Sequence, residues 1–134
     1  MMGDRRFWLA AFVIWGMTLW WLSSAPRHFY TPEEFLSIDK VYHFGYFFGG
    51  AGLLAPACLL TWPRLTPAKR WGLVVVILFA CGVLDEFHQS FVKGRSGNDP
   101  YDLGADLLGA VAGAIVFEKL GVRFFRKHAP VSAT

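Results

Sequence analysis

The chain has 134 residues, 54% of them apolar before its 14 glycines are counted, with 17% charged and 17% aromatic. Soluble domains reach only about 45–50% apolar with glycine included, so a water-soluble domain, a disordered tail and a polyampholytic binding module are all excluded. The net charge of +3 comes from Lys and Arg spread along the chain, which bears on membrane topology and not on nucleic acid.

The first apolar segment, Phe7–Pro26, carries no formal charge and follows Arg5-Arg6. At a rise of 1.5 Å per residue, about 20 residues cross the hydrocarbon layer of roughly 30 Å. A cleaved signal peptide is the rival reading, since Arg5-Arg6, the apolar run and Ser23-Ser24-Ala25 match its three regions. The length of the run, its tryptophans and the Pro26 that follows favour a retained span. Thr31-Pro32-Glu33-Glu34 then offers a capping Thr, a Pro at the first helical position and an acid in the first turn. A short outer interfacial helix is expected there, resting Phe35 and Leu36 on the bilayer surface.

The second segment, Val41–Pro63, is again uncharged. The third, Trp71–Val92, is apolar to Leu84 and then admits Asp85 and Glu86, and the fourth, Leu103–Val122, carries Asp106 near its start and Glu118 and Lys119 near its end. Trp8, Trp20, Trp21, Trp62 and Trp71 fall at segment ends, where indoles seek the headgroup region. The expected fold is all-α: one membrane domain over residues 1–134, a polytopic four-transmembrane-helix bundle. With the N-terminus inside, Arg5, Arg6, Arg64, Lys69, Arg70, Lys119, Arg123, Arg126 and Lys127 are cytoplasmic, and Arg27, Lys40, Lys93 and Arg95 lie outside. That asymmetry predicts N-in, C-in topology. Cys58 and Cys81 sit in different segments at different depths and read as small packing residues. Residues 129–134 read as a frayed tail.

One-sidedness is the most informative feature. Asp39 and His43 open segment two, Asp85, Glu86, His88 and Gln89 close segment three, and Arg95, Asp99, Asp102 and Asp106 lie between segments three and four. All fall at the outer leaflet, where ionisable groups cost several kcal/mol unless they face water or one another. At about 100° per residue, Asp39, His43, Tyr46 and Gly50 share a helix face, as do Asp102, Asp106, Gly109 and Gly113. The spacings Gly45 to Gly49 and Gly109 to Gly113 permit close helix approach. No zinc-type ligand spacing occurs, so no metal and no cofactor are expected. A purely structural bundle would replace Glu86, Gln89, Arg95, Asp102 and Asp106 with apolar residues, which favours a functional role for the set over a structural Arg–carboxylate network. Lys40 and Lys93 alone read as snorkelling residues. Arg95, anchored between Gly94 and the turn residues 96–100, is expected to fold back onto Glu86, Asp102 or Asp106 and close the outer mouth of the bundle.

Two stretches resemble the VanZ-like family of bacterial membrane proteins: Asp39-Lys40-Val41-Tyr42-His43-Phe44 with the Gly-rich span after it, and Gly82 to Arg95 continuing through Asp102, Asp106, Gly109 and Gly113. Carried over position by position, the family's polar signature falls on Asp39, Lys40, His43, Glu86, Gln89, Arg95, Asp102 and Asp106. Lys93 stands where Pro is common, and Asp106 where Asn is frequent. The resemblance implies a multi-pass protein of the bacterial cytoplasmic membrane and, through the member that names the family, a link to teicoplanin-type antibiotic resistance.

Three functions compete. The first is a cell-envelope module in which Lys40 and Arg95 hold the phosphate or carboxylate of a lipid, lipid-linked precursor or lipoglycopeptide. The second is an intramembrane enzyme on a lipid-linked substrate, with Glu86, His43 or Asp106 as acid–base candidates and Arg95 stabilising developing charge. The third, proton-coupled transport, needs polar groups through the whole membrane, which segments one, two and four lack. The module is preferred, because no activated Ser, Cys or Thr nucleophile is legible. Membrane lipids are the expected partners, and oligomeric state stays open.

Overall fold

A computed structural model describes residues 3–25, 32–95 and 97–128, with the side chains of residues 32–37 and 126–128 outside the description. Among the described residues the chain is all-helical: α1 (Arg5–Ser23), α2 (Pro32–Thr61), α3 (Pro67–Gln89), α4 (Pro100–Val116), a π-helical turn (Phe117–Gly121) and α5 (Val122–His128). The last three run on as one rod with a π-bulge. Three helix starts follow from local chemistry. Asp4 accepts from the Arg6 amide at 2.8 Å, Thr66 accepts from the Lys69 amide ahead of Pro67, and Asp99 accepts from the Tyr101 amide at 2.8 Å ahead of Pro100. In each case a side-chain oxygen satisfies an amide with no intrahelical partner, and where Pro stands at the first position it removes another.

α2 differs from expectation at its start. Instead of a separate interfacial helix, Pro32 begins a continuous 30-residue α2 that passes through Pro56 without ending. No glycine or second proline interrupts the chain between Pro32 and Lys40, so nothing breaks the first turns from the rest. The capping Thr31 and the side chains of Phe35 and Leu36 lie outside the described residues.

Two helices, Ile38–Thr61 and Pro67–Gln89, are long and apolar enough to cross a membrane by length and composition. α1 has 19 residues, four of them tryptophan, and α4 has 17 with Asp102 and Asp106 among them.

α2 and α4 form the most intimate pair of the bundle, and glycines explain it. A Cβ at Gly109 would collide with the Phe44 carbonyl oxygen, and one at Gly113 would lie 2.6 Å from the Phe48 carbonyl oxygen and 2.7 Å from Ala51 Cβ. Small residues let two helix backbones approach closely. The expected partners Gly45 and Gly49 have nothing within 4 Å and play no such part. Gly50 makes the close approach instead, 2.6 Å from Trp15 Cζ2 and 3.1 Å from a Leu78 methyl as judged from its missing Cβ. α1 is locked to α2 reciprocally: Trp15 Nε1 donates to the Tyr46 carbonyl at 3.1 Å and the Tyr46 hydroxyl donates to the Trp15 carbonyl at 2.8 Å, with the rings stacked. Phe47, Ala51, Leu54, Val74, Leu78, Ala110 and Ala114 fill the middle. At the far end buried Arg70 makes a two-point pair with Glu118, at 2.6 and 2.8 Å, and donates to the Leu65 carbonyl at 3.2 Å.

Candidate functional site

The opposite end of the bundle gathers the start of α2, the end of α3, the loop after it and the start of α4. The loop reverses at Gly94 (φ 84°) and again at Gly97 (φ 44°) and Asn98 (φ 58°). Gly97 lies against the Ser90 backbone so closely that no Cβ would fit, and its left-handed φ suits a residue without one. The chain thus returns over α3, where the Asp99 amide donates to Glu86 Oε2 at 2.7 Å. Glu86 therefore fixes the residue that caps α4.

On the α2–α4 side, Lys40 Nζ donates to Asp99 Oδ2 at 2.9 Å and to Asp102 Oδ1. His43 Nδ1 lies 2.8 Å from Asp106 Oδ1, while its Nε2 lies 3.8 Å from Asp39 Oδ1 and 3.9 Å from Asp102 Oδ2. Asp39, His43, Asp102 and Asp106 are all buried. The glycine faces responsible are those just described: with α2 and α4 in backbone contact at Phe44 and Gly109, residues one turn earlier on each helix must meet.

On the α1–α3 side a second chain of bonds runs from Ser23, whose hydroxyl donates to Asp85 Oδ1. Gln89 Nε2 donates to Asp85 Oδ2 at 2.8 Å, and Arg95 donates to Gln89 Oε1 at 3.1 Å and to the Leu22 and Ala25 carbonyls at 2.8 and 3.3 Å. The expected fold-back of Arg95 onto the carboxylates thus gives way to a staple across the end of α1. Two carbonyl oxygens at the end of α1, where the last carbonyls lack intrahelical donors, together with Gln89 Oε1 of α3, match the guanidinium fork. His88 stacks on Trp20 at a 3.7 Å centroid distance and shares a 2.9 Å hydrogen bond with Ser24, so it belongs to this wall.

Two buried carboxylate oxygens at this end have no hydrogen-bond partner among the described residues, Glu86 Oε1 and Asp106 Oδ2. Asp106 Oδ2 faces α3, 2.9 Å from where a Gly82 Cβ would stand. Glu86 lines a cleft of about 190 Å³ with Val83, Asn98, Asp99, Pro100 and Leu103. Six carboxylates (Asp39, Asp85, Glu86, Asp99, Asp102, Asp106) thus sit with Lys40, Arg95 and two histidines. Outside the helices' apolar stretches, desolvation alone would raise the Asp99 carboxyl, but the Lys40 hydrogen bond and charge outweigh it and hold it below the ordinary carboxylate range.

All eight residues named from the sequence, Asp39, Lys40, His43, Glu86, Gln89, Arg95, Asp102 and Asp106, come to this one end. The partners that sequence reasoning left out of the site are Ser23, Asp85 and Asp99. Asp85 and Asp99 were visible as acids in the cluster, whereas Ser23 sits in the first segment and no spacing ties it to α3. Asp39, His43 and Asp102 each bring one ligand-type atom within 4.8 Å of the others, a convergence that needs two helices and leaves no sequence spacing. The family model described as VanZ/LLP1 matches residues 7–123. No curated protein and no solved structure matches the chain.

Proposed function

The chain belongs to the VanZ/LLP1 family, and from that premise we propose that it is a multi-pass membrane protein of the cell envelope whose polar end faces outward and holds the headgroup of a lipid or lipid-linked envelope molecule. Four helices span, with both termini cytoplasmic, on the Lys and Arg asymmetry. The surface supports immersion of every helix: Trp21 of α1 (72% exposed), Val41 of α2 (68%), Leu84 of α3 (62%) and Leu108 of α4 (63%) are large apolar side chains that water would not tolerate in such number. The packed middle, with Phe47, Leu78 and Val74 at no exposure, argues against transport.

The carrying observation is Glu86. It lines the cleft, it is buried, and one of its carboxylate oxygens has no partner among the described residues, which orients the site toward hydrogen-bond donors on a ligand. Lys40 and Arg95, expected to grip an anion, are engaged by Asp99, Asp102, Gln89 and the end of α1. The headgroup is therefore read as ammonium- or hydroxyl-bearing. Glu86→Gln is the clean perturbation, because its amide oxygen still accepts from the Asp99 amide. Native mass spectrometry of protein released from nanodiscs of phosphatidylethanolamine and phosphatidylglycerol is expected to show ethanolamine lipid retained by the wild type and at least about tenfold less by Glu86→Gln, the size of one charged hydrogen bond. Equal retention would remove the proposal.

A second reading rests on the 2.8 Å His43–Asp106 contact. A carboxylate that orients an imidazole makes His43 a general base for cleavage of a lipid-linked substrate. Release of a headgroup product by the wild type, lost in His43→Gln, would replace the binding module with an enzyme.

A further inference from the structure

We propose that Asp39, His43 and Asp102 bind a divalent cation of the Zn²⁺ or Mn²⁺ type, with Asp106 orienting the histidine behind it, a property separate from headgroup binding at Glu86. The donor set is two carboxylates and one imidazole. Three protein ligands with further positions left for water or another oxygen is the pattern of open, not closed, metal sites. The spacing is close to what such an ion needs. His43 Nε2 stands 3.8 Å from Asp39 Oδ1 and 3.9 Å from Asp102 Oδ2, and the three ligand atoms lie within 4.8 Å of one another. A point equidistant from atoms so placed is no more than about 2.5 Å from each, a few tenths of an ångström beyond Zn–N and Zn–O bonds of about 2.0–2.2 Å.

Acids in a cluster would not suffice, and His43 supplies the independent observation. Its side chain is 8% exposed and its Nδ1 is held by Asp106, while its Nε2 lies 3.8 Å from Asp39 Oδ1 and 3.9 Å from Asp102 Oδ2, beyond hydrogen-bond distance of either. An imidazole nitrogen placed between two carboxylates, with its other nitrogen held by a third, matches the carboxylate–histidine–metal relay that fixes tautomer and ring orientation. The oxygens of Asp102 are divided to match: Oδ1 takes Lys40, and Oδ2 faces His43. The charges point the same way. Lys40 is shared between Asp99 and Asp102, and carboxylates gathered in a buried site are costly unless cations or hydrogen bonds offset them.

The test uses the full chain in detergent, stripped of metal and titrated with Co²⁺, whose visible d–d bands report coordination, followed by Zn²⁺ competition. One Co²⁺ per chain, displaced by Zn²⁺, is expected for the wild type. Asp106→Asn is expected to weaken binding by about 10–100-fold, as loss of an outer partner of a ligating histidine does. Asp102→Asn should abolish it. Because that change also removes one of the two carboxylates paired with Lys40, the pair Lys40→Met with Asp102→Asn is measured alongside, with helicity by circular dichroism confirming the fold, and should equally fail to bind. His88→Ala, in the other wall, should bind as the wild type does. Absence of Co²⁺ bands in the folded wild type, or undiminished binding in either Asp102 variant, would overturn the proposal.

Discussion

Gly109→Ala is the sharpest probe of how packing builds the polar end. Its new Cβ would overlap the Phe44 carbonyl oxygen and stand 3.0 Å from the carbonyl carbon and 3.1 Å from Phe44 Cα. Carbon–carbon contacts prefer about 3.5–4.0 Å, and backbone cannot step aside as a flexible side chain can. α2 and α4 must therefore part by at least about 0.5 Å. Overpacking of this kind costs about 1–3 kcal/mol, offset by the roughly 1 kcal/mol gained when Ala replaces Gly inside a helix, for a net loss of up to about 2 kcal/mol. Gly113→Ala meets the Phe48 carbonyl and Ala51 Cβ and should cost a similar amount, and the two together less than their sum, since one helix displacement relieves both. The same displacement pulls Asp106 from His43 and Asp102 from Lys40, so the polar end should loosen with the fold. Thermal unfolding in a fixed detergent, with Gly104→Ala and Gly45→Ala as controls, is the assay. Neither control glycine has anything within 4 Å, so both should be neutral or slightly stabilising. Gly109→Ala as stable as Gly104→Ala would refute the reasoning.

Arg70→Ala should cost about 3–5 kcal/mol, because it strands Glu118 at a buried pair; Arg70→Met with Glu118→Leu should recover much of that loss in the same melt. Asp99 gives a pH signature. Its folded pKa lies below its ordinary value, so the folded state binds fewer protons; the stabilisation is complete above the ordinary carboxylate range and is lost as pH falls through the depressed pKa. Melting temperatures from pH 6 toward pH 3 should therefore fall less steeply in Asp99→Asn than in the wild type. Arg95→Ala should release the end of α1 and raise amide exchange around Leu22 to Ala25, with Arg95→Lys restoring it only in part, since an ammonium cannot reproduce the fork. On a background lacking Cys58 and Cys81, Ser132→Cys should resist an impermeant maleimide in sealed cells; labelling there would reverse the topology.

Much of this arrangement was legible because helical phase is a local property. Asp39 and His43 four residues apart, and Asp102 and Asp106 likewise, had to share faces, and the one-sided placement of the acids announced a polar end. What sequence could not supply was which faces meet. Gly45 and Gly49 have the same spacing as Gly109 and Gly113, yet only the α4 pair makes the close approach. Choosing between them requires knowing that Phe44 and Phe48 present backbone, not ring, to the neighbouring helix. Arg95 went astray for a related reason. The carboxylates are the stronger partners in isolation, but the turn through Gly94 and Gly97 sets the guanidinium beside the carbonyls of α1, a contact 70 residues away in sequence. Ser23 and Arg70 escaped notice because each makes sense only with a partner on another helix.

The central claim, that the cleft at Glu86 opens outward and is occupied by a headgroup, comes down to one labelling rate. Pro100 is exposed and lines that cleft. With Cys58 and Cys81 removed, Pro100→Cys in sealed cells should react with an impermeant maleimide without permeabilisation, and about tenfold faster once Glu86→Gln is added and the bound headgroup no longer shields the thiol. Reaction only after permeabilisation, or the same rate with Glu86 and with Gln at that position, would contradict the account.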